Sequence, residues 1–211
     1  MNTRTPRKIT PTVQEFCREV VTDGEPIYLE VTPSGREIPL DCFTNVEKQI
    51  ARHGGTPQYG WRIWEWPYTM IEAEFHAVWR TPDGALVDIT PAPMGITTIL
   101  FLPDSTRAYE GRQVNSVRKS LTKSELMDEF IQLSDEQFEI LNKGERANMN
   151  SDLSMSGKDA LDFHKALAFT RKEEQRMGTI MNRLSQILRL LSPCPCGSFR
   201  RFSACCGKSF V

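Results

Sequence analysis

The chain lacks an excess of charge of either sign, because 26 Lys and Arg stand against 27 Asp and Glu in 211 residues, a formal net charge of −1. A protein whose main task is to coat nucleic acid or an anionic lipid surface needs a basic face, so the chain as a whole is excluded from that class. A local basic patch stays open. No window approaches the ~18 uninterrupted apolar residues of a membrane span. The opening Met1-Asn2-Thr3-Arg4-Thr5-Pro6-Arg7-Lys8 leads into no apolar core of a signal peptide. The expectation is a soluble, cytoplasmic protein that does not engage a membrane. Histidine is scarce, with three in the chain, and no internal repeat or low-complexity tract occurs. Cysteine is not scarce: there are six, four of them between Cys194 and Cys206. In a reducing compartment clustered cysteines bind metal or do chemistry more often than they form bridges, so all six are candidate sites. The length allows one domain of ordinary size plus an appendage.

Periodicity and punctuation divide the chain. Residues 1–9 read as a flexible basic tail. Thr10-Pro11 forms an N-cap and first-turn pair ahead of a helical stripe of Val13, Phe16, Cys17, Val20 and Val21, in which Cys17 reads as core. Ile27 to Val31 reads as a strand, and Pro33-Ser34-Gly35 as a turn. Cys42, Phe43, Val46 and Ile50 then mark a short amphipathic helix that stops at Gly54-Gly55, with His53 as a C-terminal cation. From Tyr59 to Leu102 Trp, Ile, Phe, Val and Thr concentrate between turn signals, which predicts three or four strands. Met70–Arg80 and Ala85–Ile89 flank Thr81-Pro82-Asp83-Gly84 and should pair as an antiparallel hairpin, with Ile96–Leu102 a further strand and 103–120 a loop. The four tryptophans Trp61, Trp64, Trp66 and Trp79 suit core packing or an aromatic cleft. Beyond the loop, residues 121–192 turn helical. Thr122 to Glu125 and Ser134 to Gln137 both have capping-box form, 142–157 resembles a linker, and Asp159–Leu191 reads as one long helix containing His164. Its stripe of Met177, Ile180, Leu184, Ile187 and Leu191 suits docking onto the chain or a homodimer.

Cys194-Pro195-Cys196, eight residues, then Cys205-Cys206 puts four soft ligands on one short loop, a set able to close around a single tetrahedral Zn(II). Adjacent Cys205 and Cys206 do not easily make two unstrained disulfides. Four thiolates leave no open position for water, so the zinc would be structural. The pattern C-x-C-x8-C-C, with Gly197-Ser198 after the first pair and Gly207 after the second, resembles the SEC-C zinc motif at the end of the SecA translocation ATPase and in many other bacterial proteins. Phe199 stands where that family commonly has a second glycine. Arg200, Arg201 and Lys208, with no acidic residue from Pro193 onward, make residues 193–211 locally cationic. The resemblance implies a macromolecular partner, protein or ribosome, with nucleic acid as a further option.

Cys42 belongs to a second cysteine population. It stands at the predicted N-terminus of a helix, where unpaired NH groups and the helix dipole stabilise negative charge on sulfur. His76 lies in the first strand of the hairpin and Asp88 in the second. A thiolate nucleophile needs a base to hold or return its proton, and that base needs an orienting carboxylate. By strand parity His76 shares a side with Glu72, Glu74 and Arg80, opposite Ala73, Phe75, Ala77 and Trp79, as suits either a polar cleft or an exposed strand.

The helix-starting Cys42, the strand His76-Ala77 with Trp79 and the strand Val87-Asp88-Ile89-Thr90-Pro91 together resemble the transglutaminase-like division of the papain-like superfamily. That resemblance spans roughly residues 38–92 and implies an α+β domain, to which the element reading gives the bounds 10–120, followed by the helices and the zinc knuckle. It assigns Cys42 as nucleophile, His76 as general base and acid, and Asp88 as orienter, in a hydrolase or acyltransferase acting on a protein or peptide amide, isopeptide or thioester. Arylamine N-acetyltransferases share the residue order, but Ile38-Pro39-Leu40-Asp41 stands where they have an arginine- and glycine-rich approach. For the oxyanion, the backbone NH of Cys42 and the side chains of Gln58, Trp61 and Trp64 are candidates. The competing expectation is a non-enzymatic adaptor that binds protein or nucleic acid through the aromatic strands and the zinc motif.

Overall fold

A computed structural model describes residues 3–92, 95–144, 146, 168–191 and 200. Cys194, Cys196, Cys205 and Cys206 of the expected zinc motif, the expected linker beyond Arg146, and His164 lie outside them. The protein is mixed α+β and divides into two compact units, Thr3–Lys119 and Ser120–Val211 with the first two residues. Among the described residues no helix is long and apolar enough to cross a membrane.

The first unit begins with helix α1, Pro11–Val20, capped by Thr10, whose Oγ1 accepts from the Val13 N–H at 3.3 Å. Val13, Phe16 and Cys17 form its buried face. Strand β1, Ile27–Glu30, precedes helix α2, Cys42–His53, which ends where Gly54 takes a positive φ of 72°. Then come β2 (Thr56–Trp66), β3 (Met70–Arg80), β4 (Leu86–Val87), β5 (Thr98–Pro103) and β6 (Val117–Ser120). The sheet order is β1-β5-β2-β3-β4, with β6 also on β3. A parallel bridge from Val31 to Asp88 joins the two ends of that order, so the sheet nearly closes on itself.

Near-closure gives the sheet an inside and an outside. Leu29, Val78, Ile99 and Phe101 pack together on the inner face. A second cluster sets Cys42 and Val46 of α2 against Ala77 and Ile89, with Tyr59, Trp79 and Val87 at the margin. Both faces of β2 and β3 are therefore buried, and alternating hydrophobicity marks only sheets with one wet face. Gly60 is required where β2 meets β5: a Cβ there would stand 2.3 Å from the Leu102 carbonyl oxygen and 2.6 Å from the Phe101 ring. Gly60→Ala should lower stability by about 1–3 kcal/mol, read as a lower urea midpoint at unchanged slope. An unmoved midpoint would contradict this account of the β2–β5 approach.

Several expectations are corrected. The tail is not free, because Arg4 exchanges two backbone hydrogen bonds with Glu65 and the Thr5 hydroxyl donates to the Thr98 carbonyl. The hairpin is shorter than expected: β4 pairs only Val87 with Trp79 and Leu86 with Arg80, after which Asp88 turns to Val31. Residues 103–120 are not all loop, since β6 forms and Arg118 pairs with Glu72 at 2.9 Å. The four tryptophans do not line one cleft. Trp61 and Trp64 lie three apart on one strand and so face opposite sides, and Trp79 Nε1 donates to the Gly54 carbonyl.

In the second unit, α3 spans Glu125–Leu141 without a break. The second capping signal fails because the Ser134 hydroxyl donates to the Phe130 carbonyl one turn back, which keeps the residue inside the helix. Helix α4 spans Arg171–Leu191; residues 168–170 are not helical, and residues 159–167 of the expected helix lie outside the described residues. Thr170 and Glu173 form a reciprocal capping box, Glu173 N–H to Thr170 Oγ1 at 3.2 Å and Thr170 N–H to Glu173 Oε2 at 2.9 Å. The two helices run antiparallel, tied by Arg176 to Glu136 and by Arg183 to Glu129, with Ile180, Leu184, Ile187 and Leu191 buried.

Candidate active site

Cys42, His76 and Asp88 come from three separate elements, and the structure brings them together. Cys42 is the first residue of α2, buried against Ala77 and Ile89, the immediate neighbours of His76 and Asp88. His76 lies on β3 beyond the short β4 ladder, and its ring meets Phe101 edge-on. Asp88 is fully buried at the point where the sheet closes. His76 Nε2 and Asp88 Oδ2 are 3.2 Å apart. Neither atom has an aligned hydrogen-bond partner, so in this conformation the contact is electrostatic, with donor and acceptor out of line.

Burial of His76 opposes its positive charge. The negative charge of Cys42, then that of Asp88, together with a hydrogen bond to Cys42, outweigh that cost and push its pKa up to about 10. For the other buried cysteine of this unit, Cys17, burial, reinforced by Glu25, pushes the thiol up to about 12. Cys17 is thus a core residue, as its helical stripe suggested.

The approach to Cys42 is braced by a residue that sequence reasoning passed over. Asn45 Oδ1 accepts from the Ile38 N–H at 2.9 Å, while Nδ2 donates to the Ile38 carbonyl at 2.7 Å and to Thr90 Oγ1 at 3.4 Å. Thr90 N–H in turn donates to Asp88 Oδ1 at 3.0 Å. One chain of hydrogen bonds thereby runs from the loop ahead of Cys42 to the carboxylate of Asp88. That loop includes Leu40 at φ 66°, a left-handed backbone uncommon for a residue with a side chain. Asp41 makes no side-chain cap to α2, so the first amides of the helix are not consumed by it.

The side chains suggested for an oxyanion are all engaged elsewhere. Gln58 Nε2 donates to the Tyr59 carbonyl, Trp61 Nε1 to Asp104 Oδ2 at 3.1 Å, and Trp64 Nε1 to Glu74 Oε2 at 2.7 Å. Arg62 was not singled out, although it is a buried guanidinium in the same strand, stacked over Trp64 with 4.1 Å from Cζ to the ring centre. The signal available was an arginine inside a run of tryptophans that the register places opposite the strand bearing His76.

Among the described residues no group of three or more His, Cys, Asp and Glu is arranged to hold a metal ion. Compared with protein-family models, curated proteins and solved structures, the chain matches none.

Proposed function

We propose that the unit Thr3–Lys119 is a cysteine-dependent acyl hydrolase or acyltransferase of transglutaminase-like type, with Cys42 as nucleophile, His76 as base and acid, and Asp88 as orienter. The observation that carries this reading is the convergence of the three side chains, with Asp88 3.2 Å from His76 and the His76 pKa raised by its Cys42 and Asp88 neighbours. Asp88 occupies Nε2 of the imidazole, which leaves Nδ1 to share a proton with sulfur. Cys42 sulfur attacks a carbonyl carbon, and His76 protonates the departing amine, alcohol or thiol. Water or an amine, deprotonated by the now neutral His76, then attacks the thioester and releases Cys42. The cysteines of residues 193–211 bind one structural Zn(II) in this reading, and the cationic knuckle carries the enzyme to a macromolecular partner.

One observation favours a second reading. Cys42 is 6% exposed, His76 5% and Asp88 0%, an enclosure that suits a polar brace inside a non-enzymatic adaptor. Thiol reactivity separates the two. Treated with iodoacetamide at pH 7 and mapped by peptide mass, Cys42 should alkylate at least about 100-fold faster than Cys17, and His76→Ala should slow Cys42 toward the rate of an ordinary buried thiol. Equal, slow labelling of both cysteines would refute the enzyme reading and favour the adaptor.

A further inference from the structure

We propose that Arg62 is the oxyanion-binding residue of this site, its Nε–H and Nη2–H donating to the substrate carbonyl oxygen as negative charge develops there. The inference rests on the reading of Cys42 as nucleophile and fills the one role that reading leaves open.

Arg62 is 4% exposed, yet its Nε and Nη2 have no hydrogen-bond partner. A buried donor without an acceptor is costly, more so when charged, and such a group in a folded chain needs an explanation. Glu74 stands directly opposite in the β2–β3 register, but its Oε2 is taken by Trp64. The same register pairs Gly60 with His76 and Arg62 with Glu74, so Arg62 and His76 are diagonal neighbours on the inner face of the sheet. Gly60 has no side chain, and the Phe101 ring packs against it and meets the imidazole edge-on. The Trp64 ring beneath the guanidinium fixes its plane. Burial disfavours charge on Arg62, and the negative charges of Glu74, Asp88 and Cys42 favour it, which places the guanidinium within the electrostatic reach of the sulfur.

The chemistry fits a permanently charged two-pronged donor. Sulfur attack forms the S–C bond and moves the carbonyl π pair onto oxygen, so negative charge leaves the atom paired with His76 and appears on one facing Arg62. Collapse re-forms C=O, breaks the bond to the leaving group, and transfers the proton of His76 to that group. Donors that gain an acceptor only in the tetrahedral state lower the barrier without tightening the ground state.

Two probes of the full-length protein, both read at Cys42 by peptide mass, test the assignment. p-Nitrophenyl acetate acylates through an oxyanion, whereas iodoacetamide alkylates by displacing iodide and forms none. In the wild-type protein the ratio of acylation to alkylation should exceed that of N-acetylcysteine by about 100-fold, and Arg62→Met should lower it by about the same factor. Arg62→Lys, which keeps the charge and loses the fork, should fall between. A purely structural role would depress both rates together and leave the ratio unmoved, which overturns the proposal. A wild-type ratio equal to that of the free thiol also overturns it, and needs no folded variant. Iodoacetamide labelling of Cys42 no faster than Cys17 instead signals failure of the nucleophile reading and takes this inference with it.

Discussion

Asp88→Asn should slow acylation of Cys42 by about 10⁴-fold, the scale of loss when the orienting carboxylate of such a triad becomes an amide, while the protein stays folded. Asp88 Oδ1 accepts from the Thr90 N–H, and an amide oxygen can keep that bond. The amide nitrogen then takes the place of Oδ2 and presents a donor to His76 Nε2. The imidazole answers by giving up its proton at Nε2 and keeping one at Nδ1, the wrong tautomer to accept a proton from sulfur. The substitution also removes one of the two anions that raise the His76 pKa from its ordinary 6.5 to about 10. Histidine charge that is held below about 10 in the wild type is therefore lost at lower pH in the variant. Where acylation depends on imidazolium to protonate the leaving group, the alkaline limb of the pH–rate profile should shift to lower pH. Single-turnover acylation across pH 6 to pH 10, with circular dichroism for the fold, measures both effects. A loss below tenfold with an unmoved limb would remove Asp88 from the mechanism.

The elements that carry this triad were legible because their signals are local. Pro39 and Asp41 ahead of an apolar i, i+3, i+4 pattern, and Gly54-Gly55 after it, place α2, and the turn residues Pro82-Asp83-Gly84 fix the end of β3 at Arg80. The supporting residues were not legible because their roles depend on closure of the sheet. Arg62 alternates with Trp61 and Ile63 and reads as a solvent-facing polar position, until the Val31–Asp88 bridge makes that face an interior. Asn45 reads as a surface residue of a helix and becomes a brace only when the segments at Ile38 and Thr90 fold over it. Strand β6 has no apolar alternation, and the Arg118–Glu72 pair ties it to β3. In the second unit, a local signal misled at Ser134, where the same hydroxyl that could cap a helix satisfies a carbonyl within one. At Thr170 the pattern Thr170-x-x-Glu173 lies inside the stretch read as one long helix, yet its hydrogen bonds mark the start of α4.

Full-length protein purified with zinc should hold one Zn(II) per chain, and Cys206→Ser should reduce that toward zero. The zinc proposal rests on Cys194, Cys196, Cys205 and Cys206 being four soft ligands on one short loop. A structural Zn(II) of this kind contributes about 10–16 kcal/mol of apparent binding free energy at neutral pH, and replacing one thiolate by a hydroxyl removes a large share of it. A segment this short has little core of its own, so metal loss should make residues 193–211 sensitive to protease. The Cys42 site should be indifferent, because its contacts with Val46, Ala77 and Ile89 and its partners His76 and Asp88 all lie within Thr3–Lys119. Metal analysis, limited proteolysis and Cys42 acylation with p-nitrophenyl acetate, measured on the same Cys206→Ser sample, should therefore separate into two metal-dependent readouts and one that does not change. Full zinc occupancy in the variant would discard the four-cysteine assignment. Loss of acylation alongside the metal, in a chain whose Thr3–Lys119 unit remains folded, would mean that the knuckle takes part in the chemistry rather than in recruitment.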